Sequence, residues 1–161
     1  MKNKSSLINK CLFMCIVVGF LSLTASSLHA QGKNGLRVGL SLDPDQVYLG
    51  GHIETGPLMK KLWFRPSLEV GMGSDITIVS INFEFAYWLP LENRMWKAYA
   101  GAGPAINVFI FDTGGPGGRT SNLEPGFNLL MALAHRDGFF TEVKLGAMDS
   151  PDLKLGIGYS W

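Results

Sequence analysis

Two histidines stand close enough to acidic residues to raise the question of acid–base chemistry: His52 precedes Glu54 by two positions, and His135 precedes Glu142 by seven. A serine or carboxylate becomes a catalyst when a base lies within hydrogen-bond reach and a third group orients that base. In an extended chain, side chains two apart share a face, so His52 and Glu54 fall together. His135 follows the face of Leu133 whereas Glu142 follows the opposite one, so a dyad between them would require a break in register. His135 reads more simply as a turn residue, and no catalytic residue is expected. A metal site is not expected either, because the two histidines sit on separate segments and both cysteines, Cys11 and Cys15, fall in the first thirty residues. Asp43 and Asp45 with Asp149 and Asp152 could gather divalent cations, but acidic residues beside proline serve turns for conformational reasons. Gly114-Gly115-Pro116-Gly117-Gly118 lacks the Lys-Ser/Thr that completes a phosphate loop, and no cofactor is implied.

The remaining charged residues make a more ordered set. Arg37, Arg65, Lys97, Lys144 and Lys154, together with Glu54, Glu69, Glu84, Glu142 and Glu124, each occupy the polar phase of a segment in which apolar side chains alternate with polar or small ones. That period of two is the mark of half-buried strands. Eight such segments follow one another: 36–42, 46–54, 62–70, 77–88, 96–108, 127–134, 139–145 and 153–161. Turns are expected at Asp43-Pro44-Asp45, Gly56-Pro57, Gly73-Ser74-Asp75 and Leu91-Glu92-Asn93-Arg94, and the one long loop over residues 112–122. Phe127, Leu130, Met131 and Ala134 would also make a helical stripe, but the neighbouring strand-like segments favour a strand there.

The first thirty residues differ in kind. A basic start (Lys2, Lys4, Lys10) precedes an apolar run of thirteen residues from Cys11 to Leu23 and a small polar stretch ending at Ala30. This is the anatomy of a cleaved signal peptide over residues 1–30. The run falls short of the roughly 20 residues that a membrane-spanning helix needs. Lys10 and Met14 precede the two cysteines where lipid attachment would call for a small residue. The domain expected at 31–161 then has 131 residues, no thiol, and eleven basic against thirteen acidic residues, a net charge near −2. Nothing in this balance suggests nucleic acid as a partner.

Alternation alone does not separate a membrane barrel from a soluble sandwich, whose apolar faces would meet each other. Three features favour the barrel. Leu153, Leu155, Ile157, Tyr159 and Trp161 alternate to the last residue, where soluble domains usually fray into polar tails. Tyr87, Trp96, Phe139, Tyr159 and Trp161 share one end and one face, as an interfacial aromatic girdle requires. The opposite parity turns the charged residues inward, where an eight-strand lumen has room for side chains and little else. Arg37, Arg65, Glu69, Glu84, Lys97, Glu142, Lys144 and Lys154 are therefore expected to form a paired interior plug, with Glu54 and Glu124 nearer the rims. Pro66, Pro104 and Pro125 each remove a ladder donor and must sit at bulges or strand ends.

Together the export segment, the eight strand-like units and the aromatic finish resemble the small bacterial outer-membrane β-barrels of the outer-membrane protein A and X type. Leu42-Asp43-Pro44-Asp45-Gln46 and Asp149-Ser150-Pro151-Asp152-Leu153-Lys154 also look like stretches of a group of uncharacterised outer-membrane β-barrel-domain proteins. The resemblance implies an all-β, closed, antiparallel up-and-down transmembrane barrel in the outer membrane of a Gram-negative-type bacterium. It implies contact with outer-membrane lipid and lipopolysaccharide, and recognition of residues 153–161 by the barrel assembly machinery. The function expected is non-enzymatic, a structural or surface-interaction role in the cell envelope with the 112–122 loop as the partner contact. Lipid A deacylases resemble one another around a His with a serine two residues later, and His135 is followed by Arg136 and Asp137. A lipid-modifying enzyme, a soluble periplasmic lipid-binding barrel and a narrow pore remain as alternatives.

Overall fold

A computed structural model describes residues 32–74, 76–91, 93–112 and 119–161. The proposed signal segment 1–30 and the glycine-rich tip 114–118 lie outside the described residues. The described chain is all strand and turn: β1 (Lys33–Leu42), β2 (Gln46–Glu54), β3 (Pro57–Met59), β4 (Leu62–Met72), β5 (Ile76–Leu89), β6 (Trp96–Asp112), β7 (Arg119–His135), β8 (Phe139–Met148) and β9 (Leu153–Ser160). Every pairing is antiparallel between sequence neighbours, except that β1 also pairs with β9 and β4 takes both β2 and β3. The sheet closes on itself. β2 and β3 succeed one another along β4 as a single stave, so nine segments build an eight-stranded barrel.

The interruption within that stave lies at Thr55-Gly56, not at a turn. Thr55 donates its N–H to the Phe64 carbonyl at 3.0 Å, and its hydroxyl accepts from the Phe64 N–H at 3.3 Å, which carries the pairing across the kink. The hairpin turn expected at Gly56-Pro57 therefore falls later, at Lys60-Lys61. Residues 119–122, expected in the long loop, belong to β7, where Arg119 pairs with Asp112. Residues 127–134 are strand, so Phe127, Leu129, Met131 and Leu133 share the outer face.

The prolines fall where a missing donor costs least. Pro66 lies between the β2 and β3 ladders, whose nearest pairs on β4 are Ser67↔His52 and Trp63↔Pro57. Pro125 stands one residue beyond the β7–β8 ladder, which begins at Gly126↔Met148. At Pro104 the β5–β6 ladder opens, stopping at Asn82↔Ala105 and resuming at Phe85↔Ala102. A ring nitrogen that cannot donate explains each site.

The two faces of the wall differ completely in chemistry. Outward side chains are apolar and exposed, reaching 57% for Leu40 and Leu49, 62% for Met131 and 64% for Ile157. Inward ones are buried and largely polar, among them Arg37, Arg65, Glu69, Asn82, Glu84, Asn128, Glu142 and Lys144. A soluble protein distributes them the other way round. The small apolar core, Ala86, Tyr99, Leu130 and Ala132, lies inside the cylinder and is flanked by Trp88 and Ala134.

Gly103 marks a close approach of two strands, because a Cβ there would collide with the Phe83 carbonyl oxygen and lie 2.7 Å from the Glu84 Cα, both backbone atoms. At Gly51 a Cβ would meet nothing nearer than 3.7 Å. Gly103→Val is expected to cost at least about 3 kcal/mol, since a backbone cannot step aside as a side chain does. Gly51→Ala is expected to fold like the parent. The fraction running as heat-sensitive barrel on gels checks both.

Candidate functional site in the barrel interior

Four cations and four carboxylates meet inside the cylinder: Arg37 from β1, Arg65 from β4, Lys144 from β8 and Lys154 from β9, against Glu54 from β2, Glu69 from β4, Glu84 from β5 and Glu142 from β8. Glu142 is the hub. Its Oε1 lies 2.5 Å from Arg37 Nη1 and its Oε2 3.1 Å from Arg65 Nη1. Lys144 Nζ donates to Glu69 at 2.7 Å and to Glu84 at 2.6 Å, and Lys154 Nζ donates to the other Glu69 oxygen at 2.9 Å. Arg37 also reaches Glu69 at 3.3 Å, and Arg65 Nε lies 3.5 Å from Glu54. Ionised partners make these short, strong bonds. Left unpaired, each buried ion would cost several kcal/mol.

Aromatic and amide side chains complete the packing. Arg65 Nη1 donates to the Tyr99 hydroxyl at 2.6 Å, and that hydroxyl donates to Glu142 at 3.2 Å. The Arg65 guanidinium stands 4.7 Å from the Tyr99 ring centre and 5.7 Å from that of Phe140, within cation–π range. Asn128 from β7 donates to Asn82, which donates to Ser67 at 3.0 Å, so every stave reaches the interior. Nothing in the sequence singled out Tyr99, Phe140, Asn82 or Asn128 as partners. Their inward parity was the available signal.

The structure thus brings Arg37, Arg65, Glu69, Glu84, Glu142, Lys144 and Lys154 into one connected cluster. Lys97 stands apart. It keeps the inward phase but lies exposed at the barrel mouth, with Nζ 5.7 Å from the Trp88 ring centre. Glu54, expected exposed near a rim, does stand at the mouth end of β2 but is buried and joined to Arg65. Glu124 is half-buried. Among the described residues the four cations and four carboxylates of the cluster balance in charge.

His52 does acquire neighbours that invite comparison with a catalytic triad. Its Nε2 lies 3.1 Å from Ser160 Oγ and 3.7 Å from Glu54 Oε1. A relay needs hydroxyl and acid on opposite ring nitrogens, and here both address the same one. His135 sits by the β7–β8 turn, its ring edge-on to Trp96 at 4.9 Å and its Nδ1 3.4 Å from Asp137. Glu142 faces the lumen on the other side of the wall. Among the described residues no group of three His, Cys, Asp or Glu side chains is placed to hold a metal ion.

On the outer surface Tyr87, Trp96, Phe139, Tyr159 and Trp161 are all exposed. Phe139 meets Tyr159 edge-on at 5.0 Å, and Tyr159 stacks with Trp161 at 6.4 Å. Trp161 exchanges both backbone hydrogen bonds with Asn34, at 2.8 and 3.2 Å, which ties this cluster to the start of β1. Leu155 and Ile157 continue the exposed apolar row along β9, with Leu153 half-buried behind them.

The barrel aligns over its whole length with solved membrane barrels. The N-terminal β-barrel domain of Pseudomonas aeruginosa OprF superposes with a TM-score of 0.62 at 13% identity, covering 81% of this chain and 96% of that one. Neisserial surface protein A superposes at 0.61 and 12% identity, covering 80% and 94%. Ail, the attachment invasion locus protein of Yersinia pestis, superposes at 0.50 and 12%, covering 81% and 96%. The fold is that of the small outer-membrane barrels. No protein-family model matches the sequence. No curated protein matches it either. At these identities the agreement is one of architecture, carried by strand number, closure and wall chemistry.

Removing one partner of a buried pair strands the other. Glu142→Ala is therefore expected to lower barrel stability by about 3–5 kcal/mol, whereas Lys97→Ala at the mouth changes it by less than about 0.5 kcal/mol. Urea unfolding in detergent, read by tryptophan fluorescence, distinguishes the two.

Proposed function

We propose that the chain is an integral outer-membrane barrel with a structural or surface-interaction role in the envelope of a Gram-negative-type bacterium, exported under the direction of residues 1–30. The observation that carries this reading is the inverted wall: an apolar belt around the outside and a charge-neutral polar plug within. In water the belt would be an exposed apolar patch far beyond what soluble monomers tolerate. In a bilayer it is the favourable surface, and closure leaves no unpaired strand edge facing lipid. The outward aromatics Tyr87, Trp96, Phe139, Tyr159 and Trp161 suit the headgroup level on the periplasmic side. Leu153, Leu155, Ile157, Tyr159 and Trp161 suit recognition by the barrel assembly machinery.

With that end periplasmic, the β6–β7 hairpin points outward. Its strands have 17 residues each, against the roughly 9–11 that cross a bilayer, and Thr120, Ser121 and Asn122 are exposed. A projecting hairpin that sets these polar residues beside Phe109, Ile110 and Phe111 of β6 supports contact with lipopolysaccharide or a surface partner. The single-nitrogen arrangement at His52 favours a non-enzymatic role over a lipid-modifying one. The buried, charge-balanced interior favours a plug over a pore.

Expression of the full chain in a Gram-negative host is expected to place it in outer membranes, with a gel mobility that changes on boiling and no reproducible single-channel conductance after purification. Recovery as a soluble periplasmic protein would overturn the reading. Removal of Trp161 is expected to reduce assembly in cells several-fold while leaving detergent refolding of the purified chain intact, as measured by the heat-sensitive fraction in each setting.

A further inference from the structure

The barrel mouth beside both ends of the strand succession opens into a vestibule of about 480 Å³. Its described lining carries five cationic side chains, Lys33, Lys60, Lys61, Lys97 and Arg136, against one carboxylate, Glu54. Glu54 is already engaged from below by Arg65 at 3.5 Å and His52 at 3.7 Å, and Arg136 has Asp137 at 3.5 Å. Lys33, Lys60, Lys61 and Lys97 therefore face the cavity with no further carboxylate in its described lining to compensate them. One-signed charge around a low-dielectric recess concentrates the field at its centre.

The inner wall is aromatic. Trp63 and Trp88 meet edge-on at 6.3 Å, and Trp88 meets Tyr99 at 4.9 Å. Lys97 Nζ is held 5.7 Å from the Trp88 ring centre, which places cation and aromatic face side by side. Beneath them the charge cluster closes the lumen, so the vestibule is blind. Its volume lies within the roughly 300–1,000 Å³ of small-molecule sites, which pair apolar walls with a few polar anchors.

We propose that this vestibule binds a soluble, ring-bearing organic anion, the ring lying against Trp63 and Trp88 and its phosphate or carboxylate among Lys60, Lys61 and Lys97. The closed strand wall gives membrane lipid no lateral path to the site, which favours a soluble source over a lipid headgroup. Binding would leave the ligand held at the mouth and not carried across.

The test is a titration of the full-length protein, purified from expressing membranes in neutral detergent, with N-acetylglucosamine 1-phosphate, N-acetylglucosamine and inorganic phosphate, read by tryptophan fluorescence. Saturable binding of the sugar phosphate is expected, at least about tenfold tighter than either half alone and weakened by salt. The K60Q/K61Q/K97Q variant is expected to lose at least about tenfold in affinity while keeping the heat-dependent mobility of a folded barrel. No saturable change, or an unchanged affinity in the folded variant, would overturn the proposal. So would inorganic phosphate binding as well as the sugar phosphate. Displacement of the probe by phosphatidylglycerol, compared with phosphatidylcholine, would assign the site to lipid headgroups and overturn the soluble-ligand assignment.

Discussion

Burying four carboxylates among four cations inside a closed cylinder leaves the strands no freedom of register. A slip of one residue on any stave would turn its charged side chains to the outside and its leucines inward. On β8, for example, Glu142 and Lys144 would exchange places with Val143 and Leu145. The hub at Glu142 would vanish, and Arg37 and Arg65 would be stranded in the interior. The salt bridges thus act as a specificity device whose net contribution to stability is modest, because desolvation offsets much of their attraction. Their larger effect is to make every wrong register costly.

The same alternation decides what the outer wall can face. With the polar and charged side chains spent inside, the outer surface retains Leu, Val, Ile, Phe and Met in long rows. Such a surface is incompatible with a dispersed monomer in water and compatible with hydrocarbon. Interior pairing and membrane residence are in this sense one constraint seen from two sides. Where the period carries the chain past the apolar belt, as at Lys97 and at Thr120, Ser121 and Asn122 of β7, side chains become free to serve contacts.

Much of this was legible because the strand period is two and the contrast between phases is high. In 36–42, leucine and valine alternate with arginine, glycine and serine, and the pattern fixes both strand and face. Parity does not report height along the barrel axis, so Lys97 at the mouth reads as interior, and it does not report burial, so Glu54 at the rim reads as exposed. Turn chemistry also misled. Gly56-Pro57 reads as a hairpin turn, yet Thr55 bridges the kink and the stave continues to Met59. Ser121 and Asn122 read as loop because a strand leaving the membrane loses its apolar phase. The contacts of Tyr99 with Arg65 and Glu142 join residues far apart in sequence and have no local signature.

The most direct measurement of the two-faced wall is a scan of single cysteines along β5 from Ile78 to Tyr87, in a chain whose native cysteines are confined to positions 11 and 15. Spin labels in bilayers would report collision with oxygen, which enters lipid, and with a nickel chelate, which stays in water. A strict period of two is predicted, with 79, 81, 83, 85 and 87 open to oxygen and 78, 80, 82, 84 and 86 shielded from both. Even positions accessible to the nickel chelate throughout would reveal a water-filled lumen. Loss of the alternation would contradict the inverted wall itself.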